Sequence, residues 1–313
     1  MSLAIATCLF AISCATAPLQ PLRINSEVWI GYEPLLLARD LGYFDEAPIQ
    51  IIEVTDHVAS MRRFMNGDVE MSTMTLDSLL ENAALQAKIR AFLVMDFSDG
   101  ADALIAQPDI EQISDLQGKR IGILPSPLGK LMLVRALESV NLTLDDVTIV
   151  TVGIPEQEAA FLAKEVDALT TYGPVLTQLQ ANGGQVLFDS TQTPGEIVDL
   201  LAGSEDLIDT HSQQLKLVVE GWFQALDYIE TNSDNAIARI ADREGLTPEQ
   251  VRQALNQLHY LSLEENIAVL EQTDTEAING MKKLAQFMES NELLDTVVDP
   301  TTLLDIRVVE TLL

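Results

Sequence analysis

The side chains with the clearest capacity for chemistry stand at the ends of predicted strands and in the connections that follow them. They combine aromatic rings with carboxylates, hydroxyls and the backbone amides of a helix start, and such groups bind small molecules by stacking and hydrogen bonding. In open α/β sheets, small ligands bind at this edge. The candidate ligand-binding residues are Trp29, Tyr32, Glu33, Thr75, Asp77, Asp99, Asp102, Ser126, Leu128, Gly129, Tyr172 and Glu196.

The aromatic and acidic members of this set have the most specific expected roles. We expect Trp29 and Tyr32 to stack on a ligand. We expect Glu33, Asp77 and Glu196 to accept hydrogen bonds from it. For each of these residues the alternative is a purely structural role, as a loop cap or an exposed charge.

A predicted helix start supplies a second kind of binding group. Ser126 stands just before this helix, and the amides of Leu128 and Gly129 belong to its first turn. Unpaired N–H groups at such a position favour a negative or carbonyl group. We therefore expect these two amides to hold a group of that kind.

No constellation typical of catalysis or metal binding occurs in the sequence. The three histidines, His57, His211 and His259, lack the H-x-x-x-H and H-E-x-x-H spacings of zinc sites, and we interpret them as helix-surface or capping residues. The G-x-S-x-G nucleophile elbow and the G-x-x-x-x-G-K-[ST] phosphate loop do not occur either. We therefore predict no catalytic residue, no metal site and no cofactor.

Short strand–helix units must position these side chains. In the segment 29–45 a strand ends in an aromatic residue, Gly31 marks a turn, Pro34 starts a helix and Gly42 stops it. Residues 49–54 follow as the next strand. The loop at Gly31 thus lies between the carboxyl end of a strand and the amino end of a helix, where ligands bind in this class of fold.

The same alternation of strands and helices continues until about residue 190 and then changes. The pattern is interrupted at 98–102 and again at 193–198, which we interpret as two crossings between lobes. From about Ser212 onward, apolar residues recur three or four positions apart, which predicts helices. The alternation favours the α/β class over α+β.

The net charge of −30 limits the partners of the protein. Phosphate binding needs clustered basic residues, and only 18 Lys and Arg are spread over the 313 residues, so nucleic acid is excluded. The same charge argues against adsorption to anionic lipid headgroups. A chain of this length can bury one large core or two smaller ones, so a bilobal protein is compatible with its size.

Residues 1–20 are predicted to form an export leader. They include an apolar run at 3–12 that is too short to span a membrane but is typical of a signal peptide. Two processing sites stay open, one after Ala15-Thr16-Ala17 and one before Cys14 in the lipobox-like Ala11-Ile12-Ser13-Cys14. We favour the second, which makes Cys14 a lipid anchor. The positive residues expected before the run are missing, which suggests a start codon further upstream.

The phrase GYEPLLLARDLGYFDE at 31–46 resembles the opening motif of the solute-binding proteins of ABC importers, in the nitrate/sulfonate/taurine branch. That branch shares its fold with the thiamine-pyrimidine synthase-like proteins. DLQGKRIGI at 115–123 resembles the segment that opens the second lobe of these proteins. The resemblance extends from Trp29 to about Tyr228.

The resemblance implies a two-lobed, periplasmic-binding-protein-like α/β fold of type II, with two crossings and a C-terminal helical segment. It divides the chain into the leader at 1–20, the first part of lobe 1 at 21–98, lobe 2 at 99–192 and the mainly helical rest of lobe 1 at 193–313. Matched position by position to the family pattern, the candidate ligand-binding residues line the cleft between the lobes.

The resemblance also implies a function. The protein would capture a small molecule outside the cytoplasmic membrane by hinge closure and deliver it to ABC permease subunits. It would act as a monomer that touches the membrane only through its lipid anchor, on the periplasmic or extracellular face. The alternative is a pyrimidine-synthase-like or chorismate-processing enzyme on the same fold. The cysteine- and histidine-rich signature of the pyrimidine synthases is missing, so we predict that the protein is not an enzyme; a ligand-sensing subunit stays open.

The charge of the expected cleft indicates the class of ligand. An uncompensated carboxylate about 4 Å from an anion costs roughly 4 kcal/mol at an effective dielectric near 20. A nitrogen-bearing cation or neutral ligand would instead gain charge-assisted hydrogen bonds and stacking. We therefore predict a neutral or cationic, nitrogen-bearing ligand. The argument sets five carboxylates against Lys130 as the only obvious cation: Glu33, Asp77, Asp99, Asp102 and Glu196.

Overall fold

The computed structural model of the protein describes residues 21–45, 48–55, 57–85 and 88–313. The predicted leader, with the proposed anchor Cys14, lies outside the described residues. Within them the chain forms two β-sheets with helices packed on both. The strands are β1 (Leu22–Glu27), β2 (Ile49–Val54), β3 (Met71–Thr75), β4 (Ile89–Ser98), β5 (Asp102–Ala106), β6 (Arg120–Ile123), β7 (Thr148–Thr151), β8 (Ala168–Tyr172), β9 (Gln185–Asp189), β10 (Val198–Ser204) and β11 (Leu258–Tyr260).

The α-helices follow most of the strands in the first two thirds of the chain and dominate the last third. Pro34 and Pro127 stand in the first turns of two helices next to the lobe boundary, where a missing N–H costs nothing. The helices are α1 (Glu33–Asp40), α2 (His57–Met65), α3 (Leu76–Leu85), α4 (Pro127–Glu138), α5 (Ile154–Leu162), α6 (Val175–Ala181), α7 (Glu205–Thr210), α8 (Ser212–Thr231), α9 (Ser233–Glu244), α10 (Pro248–Leu255), α11 (Leu263–Leu270) and α12 (Thr275–Ser290).

The two sheets have different strand orders and belong to different parts of the chain. The first has the order β11-β4-β10-β3-β1-β2, with β1 parallel to both of its neighbours and β10 antiparallel to β3 and β4. The second has the order β7-β6-β8-β5-β9, with β6 parallel to β7 and β8 and with β5 antiparallel to β8 and β9. We refer to the first sheet and its helices as lobe 1, and to the second sheet and its helices as lobe 2.

The chain passes between the sheets twice, at 99–101 and at 190–197. Both passages fall where the sequence pattern is interrupted. The predicted α/β fold with two lobes, two crossings and a helical C-terminal region is confirmed. β11 was not expected in the helical tail, because three residues are too few to give a periodic signal.

The C-terminal helices complete the core of lobe 1. The amphipathic α8 buries the apolar residues of one face, including Leu215, Val218 and Trp222, and packs on α1. Trp222 is fully buried, as its position on the predicted apolar stripe indicated. In the part of the chain that the structure describes, none of the helices combines the length and the apolar character that a membrane span requires.

Candidate functional site

An edge-to-face aromatic pair joins the two lobes. Trp29 follows β1 and Tyr172 ends β8, and their ring centroids lie 5.1 Å apart with the planes at 83°. Gly31 permits this packing, because a Cβ there would lie 2.3 Å from Trp29 Nε1 and 2.6 Å from Asp96 Oδ2. Trp29 is buried and Tyr172 half-buried, so the surfaces of both rings lie where the lobes meet.

Three carboxyl groups stand next to this pair, where the chain passes between the lobes. Asp96 lies near the end of β4, Asp199 near the start of β10 and Asp102 at the start of β5. All three are buried, with exposures between 0% and 5%. Asp199 lies opposite Asp96 in the ladder of lobe 1, and Asp102 lies opposite Tyr172 in that of lobe 2. Both lobes thus contribute acidic groups.

Burial raises the pKa of each of these carboxyl groups. It raises the pKa of Asp102 to about 7. The charge of Asp77 also raises this pKa, whereas a hydrogen bond from the hydroxyl of Ser98 lowers it. Burial raises the pKa of Asp96 well above the usual range, and the charges of Asp199 and Asp102 raise it further. It also raises the pKa of Asp199, although a hydrogen bond that Asp199 accepts from Tyr32 opposes the shift. These groups therefore keep protons at pH values where an exposed aspartate has lost them.

A second polar chain lies at the carboxyl ends of β1 and β3. Glu27 Oε1 lies 2.9 Å from His57 Nδ1, and His57 Nε2 lies 3.4 Å from Ser78 Oγ. Thr75 Oγ1 is 3.2 Å from the same hydroxyl. Burial alone would lower the pKa of His57, but the hydrogen bond and the charge of Glu27 outweigh it and raise this pKa to about 9. His57 is therefore a cation at neutral pH, and it is paired with Glu27.

Asp77 connects the lobes through its carboxylate. It lies in the first turn of α3 and is buried, and Leu128 at the start of α4 donates its N–H to Asp77 Oδ2 at 3.2 Å. The N–H of Gly129 donates to the capping hydroxyl of Ser126, also at 3.2 Å. The expectation that these two amides hold a group of the ligand is corrected, because the protein itself occupies both of them.

Glu33 does not lie at the lobe boundary. Its side chain is 1% exposed, and Arg243 Nε donates to both of its carboxylate oxygens, at 3.1 and 2.9 Å. Arg243 belongs to α9, so the ion pair fixes α9 on α1 within lobe 1. Glu33 is thus not available as the acceptor for a ligand that the sequence suggested.

Two other acidic candidates, Glu196 and Asp99, and the expected cation Lys130 also lie away from the aromatic pair and its carboxyl groups. Glu196 Oε2 accepts from Arg135 Nε at 2.9 Å, which ties the second crossing to α4. Asp99 is exposed on the first crossing and lines a cavity of about 230 Å³ together with residues of the second crossing, among them Ser190 and Gly195. Lys130 Nζ donates to the carbonyl oxygen of Asn291 at 3.3 Å. The candidates that the structure brings together are Trp29, Tyr32, Thr75, Asp77, Asp102, Ser126, Leu128, Gly129 and Tyr172.

The sequence reading missed four residues of this region. Asp96 and Asp199 stand inside apolar strand runs, where an acidic residue is itself an indication of a special role. Glu27 ends β1, two positions before Trp29, and offered the same strand-end signal as the chosen candidates. His57 was interpreted as a surface or capping residue, and only the fold brings it to Glu27.

The assembled region combines carboxyl groups with aromatic rings and suits a small ligand that carries a positive charge or several N–H donors. Among the described residues, no group of three or more His, Cys, Asp and Glu has an arrangement that could hold a metal ion. We refer to the region formed by Glu27, Trp29, Tyr32, Asp77, Asp96, Asp102, Tyr172 and Asp199 as the acidic cleft.

Comparison with known proteins matches the chain to one protein family. A model of the family described as NMT1/THI5 like matches residues 29–236. The taurine-binding periplasmic protein of Escherichia coli (strain K12) is 25% identical over 177 residues, which are 56% of this chain and 55% of that protein. The chain spans about half the length of the curated relatives it matches.

Two solved structures illustrate the shared fold. The alkanesulfonate-binding protein SsuA from Xanthomonas axonopodis pv. citri, bound to MOPS, has a TM-score of 0.73 at 19% identity and covers 91% of this chain and 98% of its own. The desulfurization enzyme DSZB has a TM-score of 0.73 at 18% identity and covers 94% and 98%. A binding protein and an enzyme thus share this fold, and the fold does not choose between them.

Proposed function

The chain belongs to the NMT1/THI5-like family, and from this premise we propose that it is an extracytoplasmic solute-binding protein of an ABC importer. It captures a small, nitrogen-bearing molecule between its two lobes and presents it to the permease subunits. The acidic cleft is the observation that carries this proposal. A cleft between two lobes joined by two crossings is suited to hinge closure around a ligand.

The charge of the cleft supports a nitrogen-bearing ligand over the sulfonates that two similar proteins are named for. Asp77 occupies the amide of Leu128, where an anionic group would otherwise bind. His57, the cation on this edge, is already paired with Glu27. An anion would therefore meet several carboxylates and few free donors, whereas an organic cation could stack on Trp29 and Tyr172.

We further propose that the protein acts as a monomer outside the cytoplasmic membrane and that a lipid on Cys14 anchors it there. The support for the anchor is the lipobox-like sequence before Cys14.

We propose binding rather than catalysis. Ser78 Oγ lies 3.4 Å from His57 Nε2, but His57 is paired with Glu27, and its pKa of about 9 keeps the imidazole protonated at neutral pH. It is therefore not a free base that could activate the Ser78 hydroxyl as a nucleophile. A binding protein should release its bound molecule unchanged, which mass spectrometry of the recovered molecule can check.

Calorimetry with charge-matched aromatic probes tests the ligand class. We expect benzamidinium to bind, and its neutral isostere benzamide, taurine, methanesulfonate and nitrate to bind far more weakly or not at all. Asp77→Asn should weaken benzamidinium binding by about 10- to 100-fold, because it removes one carboxylate charge from the cleft. Asp99→Asn is the matched control, since Asp99 is exposed outside the cleft. Micromolar binding of taurine or nitrate that Asp77→Asn leaves unchanged would contradict the proposed ligand class.

Tryptophan emission tests the location of the site. Trp29 lies at the lobe boundary, whereas Trp222 is fully buried in lobe 1 with its ring centroid 6.0 Å from that of Tyr260. Benzamidinium at saturation should change the emission of Trp222→Phe, which keeps Trp29. The emission of Trp29→Phe, which keeps Trp222, should stay nearly constant. The opposite pattern would place the binding site away from the Trp29–Tyr172 pair.

A further inference from the structure

Two buried carboxyl groups face each other across neighbouring strands at the hinge. Asp96 on β4 and Asp199 on β10 are register partners in an antiparallel ladder, where directly opposite Cβ atoms lie about 4.5–5.5 Å apart. Asp96 is fully buried and Asp199 is 3% exposed. Both strands lead directly into a crossing, β4 into the first and β10 out of the second. The pair therefore lies in the acidic cleft, close to both crossings.

Most of the elements around the pair add an acidic or a weakly acidic group, whereas β3 places the neutral Thr75 opposite Asp199. Tyr32, after β1, donates its hydroxyl to Asp199 Oδ1, and Tyr260 on β11 lies opposite Asp96. Asp102 on β5 approaches from lobe 2, and the charges of Asp77 and Glu27 also reach Asp199. No basic side chain is among the main electrostatic influences on either carboxyl group.

Two such groups cannot both be ionised without a counter-charge, so one proton must remain between them. The register of the two strands places the carboxyl groups opposite each other, where they can share this proton. Neither oxygen of Asp96 has a hydrogen-bond partner among the described residues. A fully buried carboxyl group with free acceptor positions, beside the unpartnered Nε1 of Trp29, indicates a place for a donor from outside the chain.

We propose that the Asp96–Asp199 pair binds a protonated nitrogen of the solute, and that this cation displaces the proton that the two carboxyl groups share. The inference rests on the proposed function and names the residues that hold the charge. The exchange balances: the incoming N–H⁺ group brings one positive charge into the site, and one proton leaves it for the solvent. Both carboxylates are then ionised, with the solute cation as their counter-charge.

The exchange makes binding depend on pH in a defined way. At low pH the pair holds its proton firmly, so the cation must compete with it and binds more weakly. As the pH rises, less work is needed to remove the proton and the affinity increases. A solute would thus be held more tightly at neutral than at acidic pH.

Calorimetric titration of the full chain with benzamidinium tests the exchange directly. Benzamidinium remains charged between about pH 6 and pH 9, so any proton that appears comes from the protein. Titration in two buffers of different ionisation enthalpy gives the number of protons released. We expect at least one proton to be released per benzamidinium bound near pH 6, and fewer toward pH 9.

Two variants identify the source of this proton. Asp96→Asn should abolish most of the release and flatten the pH dependence of affinity, because the variant has no second carboxyl group to share a proton. Asp99→Asn changes an exposed carboxylate outside the cleft and should behave like the unaltered protein.

A measurement on the unaltered protein keeps the test decisive if Asp96→Asn folds poorly. Infrared spectroscopy should show the carbonyl stretch of a protonated carboxylic acid at pH 7, and benzamidinium should remove this band. Binding without proton release, or an unchanged band, would overturn the inference while leaving the proposed function intact. No binding of benzamidinium, together with tight binding of taurine, would overturn both.

Discussion

Arg243→Met should lower the free energy of unfolding by about 3–5 kcal/mol, because it leaves a buried carboxylate without its counter-charge. Glu33 is 1% exposed and depends on Arg243 Nε for both of its oxygens. The same guanidinium also donates from Nη1 to Asp40 at 2.6 Å. One side chain therefore neutralises two carboxylates of α1, and its loss should be among the most damaging single changes in lobe 1.

The loss should also depend on pH. Burial raises the pKa of Glu33, and the charge of Arg243 opposes this shift. Without Arg243 the folded protein should hold the Glu33 proton more tightly than the unfolded chain does. Such a group stabilises the fold below its unfolded pKa, and this contribution is lost as the pH rises through the folded pKa. The pKa of Glu33 is about 8 with Arg243 in place, so the difference should open above this value, and Arg243→Met should lose less stability at about pH 7 than at about pH 9.

Urea unfolding at the two pH values measures this effect, and a double variant provides the control. Glu33→Gln with Arg243→Met removes the buried charge together with its partner, so it should recover part of the loss and remove its pH dependence. Equal losses in Arg243→Met and in the double variant would mean that Glu33 carries no uncompensated charge. In that case packing of the Arg243 stem would account for the loss.

Glu33 also shows where sequence reasoning reaches its limit. Its place after Gly31 and Tyr32 made it a natural ligand-binding residue, but its partner Arg243 lies 210 positions further along the chain. No local pattern reports such a pairing. The same holds for His57 and Glu27, which only the parallel packing of the first strands brings together.

The features that the sequence did predict depend on local signals. Pro34 and Gly42 bound α1, and the interruptions at 98–102 and 193–198 coincide with the crossings. These signals reflect backbone conformation at single positions, so they can be read without knowledge of the fold. Trp29 and Tyr172 were selected because they end strands, and the structure brings their rings into contact.

The composition of the acidic cleft could not be predicted from the sequence alone, because its net charge depends on which charged side chains the fold brings together. Lys130, the cation expected there, points to Asn291, whereas Asp96 and Asp199 lie in strand runs that read as plain core. The acidic cleft keeps Asp77 and Asp102 of the five carboxylates first proposed, and Glu27, Asp96 and Asp199 take the place of the other three. The excess of carboxylates over cations is large enough that such exchanges of individual residues leave the sign unchanged.

Asp102 should have the second large effect, which is on the way the free energy of unfolding changes with pH. It is 5% exposed at the start of β5, and burial raises its pKa to about 7. An aspartate in the unfolded chain titrates near pH 3.9. Between these two values the unfolded chain releases the proton and the folded protein keeps it, so each pH unit costs about 1.4 kcal/mol of stability.

The sign follows from this order of the two pKa values. The stabilising contribution of Asp102 is complete below about pH 4 and is lost as the pH rises through about 7. Carboxyl groups whose pKa is lowered by arginine, among them Glu70 and Asp167, act in the opposite direction and lose their contribution as the pH falls. The stability of the unaltered protein is the sum of both trends, so a single pH profile cannot isolate Asp102.

Asp102→Asn removes this contribution, together with the part of the raised pKa values of Asp96 and Asp199 that the charge of Asp102 causes. An asparagine has nearly the same shape and cannot ionise, so the variant should gain stability relative to the unaltered protein by up to about 4 kcal/mol between pH 4 and pH 8. Urea unfolding of both proteins across this range measures the difference. The side chain of Asp99 is exposed, so the difference for the control variant Asp99→Asn should not change with pH. A difference for Asp102→Asn that stays constant with pH would mean that Asp102 titrates as an ordinary aspartate, and that the cleft tolerates its charge without a cation.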